Sequence, residues 1–220
     1  MEQHCLIIVG GEWNKTFASR YIKEKYGNNR PYVIAADRGL LGVRELELQP
    51  DLVLGDFDSI EQFILEQYRQ KAGTEILSYP TEKDDTDSAL ALMTALERGA
   101  THICILAGTG TRLDHTFANV GLLLQCLNAG VQAELVDSCN RIRMIDKELT
   151  IRKEEQFGTY VSLLPFTEQV TGITLKGFRY PLQDATLKLG MNRGVSNEIA
   201  EELGQIRIRT GKLLVMETKD

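Results

Sequence analysis

The stretch HICILAGTGTRLDH, residues 102–115, passes from a continuous apolar run through a glycine-rich loop to the start of a helix. The run His102–Ala107 shows no strict apolar–polar alternation, as expected of a strand covered on both faces. A strand that leaves through a polar glycine loop and feeds a helix is one unit of a doubly wound α/β sheet with right-handed crossovers.

Working outward, the same texture recurs through the first 140 or so residues. Further strands are predicted at Cys5–Val9, Tyr32–Ala36, Asp51–Leu54, Glu75–Tyr79 and Gln132–Val136, and helices at Thr16–Tyr26, Ile60–Ala72, Asp87–Arg98 and Thr116–Ala129. Past Asn140, short β-prone pieces follow one another: Arg141–Asp146, Glu148–Arg152, Tyr160–Pro165, Val170–Lys176, Gln205–Thr210 and Lys212–Glu217. Only Asn197–Glu202 hints at helix there, so this half reads as a small antiparallel β domain. The expected division is 1–142 as a mostly parallel, three-layer α/β domain and 143–220 as an all-β domain.

The chain has 220 residues, 43% of them hydrophobic and 25% charged, the composition of an ordinary folded protein. Its net charge of -6 argues against non-specific binding of nucleic acid, which needs a surplus of Lys and Arg. The first residues, MEQHCLIIVGGEWN, have no basic region and only a short apolar run, and no stretch approaches the ~20 apolar residues of a bilayer span. Cys5, Cys104, Cys126 and Cys139 form no C-x-x-C pair. A cytoplasmic, disulfide-free protein is expected.

Open α/β sheets bind ligands beyond the carboxyl ends of their strands, and four polar clusters stand there. Asp37-Arg38-Gly39 follows the second strand; it reads as a turn, or as a backbone approach at Gly39 with Asp37 accepting a hydroxyl or facing a metal. Gly55-Asp56-Phe57-Asp58-Ser59 follows the third. Its two carboxylates repel unless a cation compensates, which suits a hard divalent ion, while Asp58 or Ser59 also makes a good cap for the next helix. Lys83-Asp84-Asp85-Thr86-Asp87 precedes a helix: it is either a solvated acidic first turn or part of a shared Mg²⁺ site. Gly108-Thr109-Gly110-Thr111-Arg112-Leu113-Asp114-His115 offers backbone N–H groups and a planar guanidinium to phosphate. Its spacing is neither a P-loop nor a dinucleotide fingerprint. Carboxylates, glycine loops, Arg112 and Lys83 together are the equipment of metal-assisted phosphoryl transfer.

A-D-R-G at 36–39, G-D-F-D-S at 55–59, K-D-D-T-D at 83–87, G-T-G-T-R-L-D-H at 108–115 and G-V-S-N-E at 194–198, in that order, resemble the thiamine pyrophosphokinase family in its short bacterial form. The resemblance implies a nucleotide-binding α/β domain, a thiamine-binding β-sandwich, and a homodimer with sites at the subunit interface. It implies Asp56, Asp58 and Asp87, with Asp84, as Mg²⁺ ligands. Asp37, Gly39, Lys83, Thr86, Gly108, Arg112 and Asp114 would meet ATP, and Ser196 and Asn197 would bond the aminopyrimidine of thiamine. Without the family, Gly194–Glu198 reads as a capping box with Ser196 as N-cap. Met191-Asn192-Arg193 departs from the small residues usual before G-x-S-N-E.

The implied reaction is attack of thiamine's hydroxyl on the β-phosphorus of Mg·ATP, with AMP leaving and a carboxylate of the Asp84–Asp87 box accepting the proton. The alternatives are a Mg²⁺-dependent pyrophosphokinase or phosphohydrolase acting on another small alcohol, and a non-catalytic nucleotide or thiamine sensor.

Overall fold

The computed structural model describes residues 2–220, which divide into two compact units between Ser138 and Cys139. The first unit alternates strand and helix: β1 (His4–Ile8), α1 (Lys15–Tyr26), β2 (Tyr32–Ala36), α2 (Gly39–Glu45), β3 (Leu52–Gly55), α3 (Gln62–Arg69), β4 (Glu75–Ser78), α4 (Asp87–Glu97), β5 (His102–Leu106), α5 (Leu113–Asn128) and β6 (Gln132–Val136). The six strands are parallel neighbours in the order β4-β3-β2-β1-β5-β6. Their centres are apolar on both faces, with Leu6, Ile7, Ile34, Leu52, Leu54 and Ile105 at 0–1% exposure, so the sheet is the core.

Order reverses between β1 and β5. The chain first adds β2, β3 and β4 on one side of β1, then returns through α4 to add β5 and β6 on the other. That reversal opens a crevice at the carboxyl ends of the two strands.

The helices start where local chemistry allows. Asn14 Oδ1 accepts the Phe17 N–H at 2.9 Å to cap α1, which ends at Gly27 with φ 53°. Thr86 Oγ1 accepts the Ala89 N–H at 3.2 Å to cap α4. Helix α2 was not expected from the sequence, because its two glycines have poor helix propensity. Packing overrides propensity: a Cβ on Gly39 would sit 1.9 Å from the Ile8 carbonyl oxygen, and one on Gly42 about 3.0 Å from the Trp13 ring.

The second unit is antiparallel. It contains β7 (Asn140–Ile145), β8 (Glu148–Arg152), β9 (Tyr160–Pro165), β10 (Gln169–Lys176), β11 (Leu182–Lys188), β12 (Leu203–Arg207) and β13 (Leu213–Thr218). Strand β13 pairs with β7 and β9, and a four-stranded sheet runs β11-β10-β12-β8. Val161, Leu163 and Val215 from the first group meet Ile151, Val170, Ile173 and Ile206 from the second in one apolar core, which makes the unit a sandwich. Strand β11 was missed because its polar, largely exposed sequence LQDATLK shows no apolar alternation. The helix expected at Asn197–Glu202 is absent. Asn197 instead bridges to Val161 and Ile199 to Phe178, so the capping-box reading of Ser196 fails with it.

Candidate functional site

A cleft of about 720 Å³ lies at the carboxyl ends of the parallel strands, walled by Gly10–Glu12, Asp37, Asp56, Thr81, Lys83, Asp85–Ser88 and Gly108–Arg112. Its floor is the junction of β1 and β5. There the Gly11 N–H donates to the Ala107 carbonyl at 2.8 Å and the Glu12 N–H to the Thr109 carbonyl at 2.7 Å. Gly11 is wedged between these carbonyls: a Cβ would lie 2.2 Å from each oxygen. Gly10-Gly11 is therefore a second glycine element of the site. A search for longer glycine motifs passes over it, although two glycines at a strand's end are a visible signal.

Backbone strain concentrates at the same rim. Asp37 (φ 45°), Phe57 (φ 60°) and Ala107 (φ 57°) adopt left-handed conformations just beyond β2, β3 and β5. Non-glycine residues hold such angles only where surrounding structure dictates them. For Asp37 that structure includes its own N–H, which donates to the Leu54 carbonyl at 2.8 Å.

The strained turns aim carboxylates at one another. Asp37, Asp56 and Asp58 each offer an oxygen, and the three oxygens lie within 4.8 Å of one another. Ser59 Oγ donates to Asp37 at 2.9 and 3.1 Å, so Ser59 supports the cluster rather than capping α3, whose N-cap position is Glu61. Burial raises the Asp37 pKa above the ordinary carboxylate value; bonding from Ser59 and the Arg38 N–H works against this, and the charges of Asp87 and Asp56 add to it.

Lys83 binds the third acidic loop to this group. Its Nζ lies 2.9 Å from Asp87 Oδ1 and 3.6 Å from Asp56 Oδ2, with all three side chains 12–23% exposed. Nζ and Asp87 Oδ1 are both buried and make no well-aligned hydrogen bond, so the contact is one of charge. Burial pushes the Lys83 pKa down, but Asp87 and Asp56 outweigh it and the net shift is upward.

The expected residues thus divide. Asp37, Asp56 and Asp58 cluster; Asp87 approaches Asp56 through Lys83; Asp84 is exposed and stands apart from the cleft lining. Gly39 is buried against β1, so its missing side chain serves helix–strand packing and not a ligand's approach. Thr86 lines the cleft and also caps α4. Gly108 is buried, with its carbonyl held by Asn119 Nδ2 at 2.7 Å, and Asn119 went unremarked in the sequence. Arg112 lines the cleft and pairs with Asp114 through two hydrogen bonds of 3.2 and 2.6 Å. That contact, with the His115 N–H, draws the Asp114 pKa down to about 2.

In the second unit, Ser196 has φ 59° and an exposed side chain. Asn197 is 7% exposed, and its amide is committed internally: Oδ1 accepts from the N–H groups of Tyr180 (3.0 Å) and Glu198 (2.9 Å), and Nδ2 donates to the Tyr180 carbonyl (2.8 Å). Asn197 holds the Tyr180 segment in place, a role that its sequence position does not disclose.

Comparison with known proteins agrees with this anatomy. Residues 23–135 match the family model described as thiamin pyrophosphokinase, catalytic domain, and residues 147–215 the model described as thiamin pyrophosphokinase, vitamin B1 binding domain. A thiamine pyrophosphokinase of Bacillus subtilis (strain 168) is 34% identical over 197 residues, which cover 89% of this chain and 91% of the relative. The crystal structure of thiamine pyrophosphokinase from Bacillus subtilis superposes with a TM-score of 0.88 at 30% identity, covering 99% of this chain and all of that one. That of thiamin pyrophosphokinase from Geobacillus thermodenitrificans gives 0.84 at 29% identity, covering 99% and 98%. The chain belongs to the thiamine pyrophosphokinase family.

Proposed function

We infer that this protein is an enzyme that transfers the diphosphate of ATP to the hydroxyl of thiamine, giving thiamine diphosphate and AMP. Family membership supports the reaction. The observation that carries its chemistry is the gathering of Asp37 and Asp56 in the cleft at the strand-order reversal, with Asp58 beside them and Asp87 brought alongside by Lys83.

The residues present fit Mg²⁺. Carboxylate oxygens are the donors a hard dication takes, and buried Asp87 Oδ1 without a hydrogen-bond partner is an acceptor of the right kind. Asp56 and Asp58 would hold the ion, with Asp37 and Asp87 beside them. When bound, Mg²⁺ supplies charge neutralisation for the polyphosphate. The backbone N–H groups of the Gly108–Thr111 loop orient the phosphates, and Arg112 and Lys83 face the charge that builds on the equatorial oxygens. Asp85 and Asp87 line the cleft, and one of these two accepts the proton of the attacking hydroxyl.

The sandwich domain is the proposed thiamine-binding part, supported by the description of the family model matched there. Ser196 Oγ is the side-chain donor on offer, with Asn197 fixing the loop behind it. A homodimer is proposed, with Leu113 and Phe117 (65% and 73% exposed) as apolar surface suited to a partner. No helix among the described residues is long and apolar enough to cross a membrane, and Cys5, Cys104 and Cys126 are buried thiols; both fit the proposed cytoplasmic setting.

Incubation with ATP, thiamine and Mg²⁺ tests the reading by product mass. AMP and thiamine diphosphate are expected together, and only when all three are present. AMP formed equally without thiamine would identify a phosphohydrolase, and tight ligand binding without AMP would identify a sensor.

A further inference from the structure

At the end of the sheet away from the cleft, the first residues of β1 and β5 are both histidines. His4 and His102 are register partners on these adjacent parallel strands, so their side chains leave the same face side by side. Their rings stack with centroids 4.6 Å apart and planes inclined by 26°. The chain has only three histidines, and the third, His115, follows the far end of β5. Glu2 completes the group: its Oε2 lies 3.7 Å from His4 Nε2, and one ligand atom from each of the three side chains falls within 4.8 Å of the others.

We propose that Glu2, His4 and His102 form a second metal site, for Zn²⁺ or a similar borderline dication, separate from the acidic cleft. Two imidazoles and a carboxylate are the donor set of an open tetrahedral zinc site, with water in the fourth position. Ligand atoms on one Zn²⁺ lie roughly 3.3 Å apart. Closing from the present spacing requires the two stacked rings to splay so that their lone pairs converge, and Glu2 is exposed while both histidines are partly so, which leaves them room to turn.

The surroundings suit such an ion. His102 Nδ1 lies 3.0 Å from Thr101 Oγ1, a hydroxyl that accepts the Gln3 N–H at 2.8 Å and lies 3.3 Å from the Gln3 carbonyl. With its proton turned to that carbonyl, Thr101 receives Nδ1–H and leaves the Nε2 lone pair of His102 for the metal, the arrangement that orients ligating histidines. The two cations in the hollow beside Glu2 and His4, Lys25 and Arg30, are paired with Glu134 and Asp51. The all-oxygen cleft selects Mg²⁺, and nitrogen donors here select Zn²⁺. From His102 to Leu106 the strand rises roughly 13 Å, and the cleft lies beyond that end, so the two ions do not share ligands.

A bound ion would tie the starts of β1 and β5, whose far ends form the cleft floor. The test is calorimetric titration of the full chain with Zn²⁺ in excess Mg²⁺, which holds the acidic cluster. A single Zn²⁺ site is expected, weakened at least tenfold in H4Q/H102Q, while thiamine diphosphate formation by that variant is unchanged. Equal Zn²⁺ affinity in the variant would overturn the proposal. A measurement on the native chain guards against a folding defect: Co²⁺ should broaden the ring resonances of His4 and His102 and spare His115. Broadening of His115 alone, or of no histidine, would equally overturn it. Neither readout depends on the reaction proposed above, so failure here leaves that reading standing.

Discussion

Replacing Lys83 with Met keeps the side chain's bulk and removes its charge. In the native chain the ammonium lies 2.9 Å from Asp87 and 3.6 Å from Asp56. At an effective dielectric near 20 the gross attractions are about 6 and 5 kcal/mol. Desolvation of the three groups offsets much of this, and removing one member leaves two like charges facing each other. Because the side chains keep some solvent exposure, we expect a net loss of about 2–3 kcal/mol, toward the lower end for broken buried pairs. For a chain of this size that is a fall of about 5–10 °C in melting temperature. Trp13, the only tryptophan, lies in the first unit, so its fluorescence follows the unfolding of that unit. The diagnostic is the response to Mg²⁺. In the native chain the ion competes with the ammonium for Asp56, and in the variant it does not. Mg²⁺ should therefore raise the melting temperature more in K83M than in the native protein. Equal melting without metal, together with an equal Mg²⁺ shift, would show that Lys83 does not join the two acidic loops.

Gly11→Ala drives a Cβ against the Ala107 and Thr109 carbonyls; a destabilisation of about 2–3 kcal/mol by urea titration is expected, with loss of AMP formation. Arg112→Ala should separate stability from rate. The Arg112–Asp114 pair is largely exposed and screened by solvent, so the melting temperature should be nearly unchanged, while turnover falls about a hundredfold. Asp37 has a raised pKa, so its protonated form is favoured by the fold, and the stability tied to that proton is present at low pH and lost as pH rises through the folded pKa. Metal-free Asp37→Asn should accordingly melt above the native chain at neutral pH, with the gap closing in melts near pH 3.8 and below. Asn197→Ala removes three internal hydrogen bonds and leaves part-buried backbone groups unpaired; a loss of about 1–3 kcal/mol by denaturant titration is expected, and an unchanged midpoint would refute its anchoring role.

Much of the fold was legible because burial on both faces leaves an unmistakable mark. Tyr32–Ala36 is a continuous apolar run, and its observed bounds are those expected; Gln132–Val136, although Glu134 interrupts it, also has the expected bounds. Elements that owe their form to neighbours were not legible. Helix α2 exists because its glycines fit against Ile8 and Trp13, and β11 because β10 offers it hydrogen bonds.

The division in the site follows the same physics. Sequence alone placed Asp56, Asp58, Lys83, Asp87 and Arg112 at strand ends, since an apolar run followed by Gly and Asp is a local signal. It could not order the strands. Only the parallel pairing of β2 with β3 brings Asp37 to Asp56, Asp58 and Ser59, and only the fold sets Lys83 between Asp56 and Asp87 while leaving Asp84 in solvent. The pairing of β1 with β5 likewise sets His4 against His102. Such meetings join residues far apart in the chain, and their energies come from burial and pairing across the sheet, which no local stretch of sequence contains.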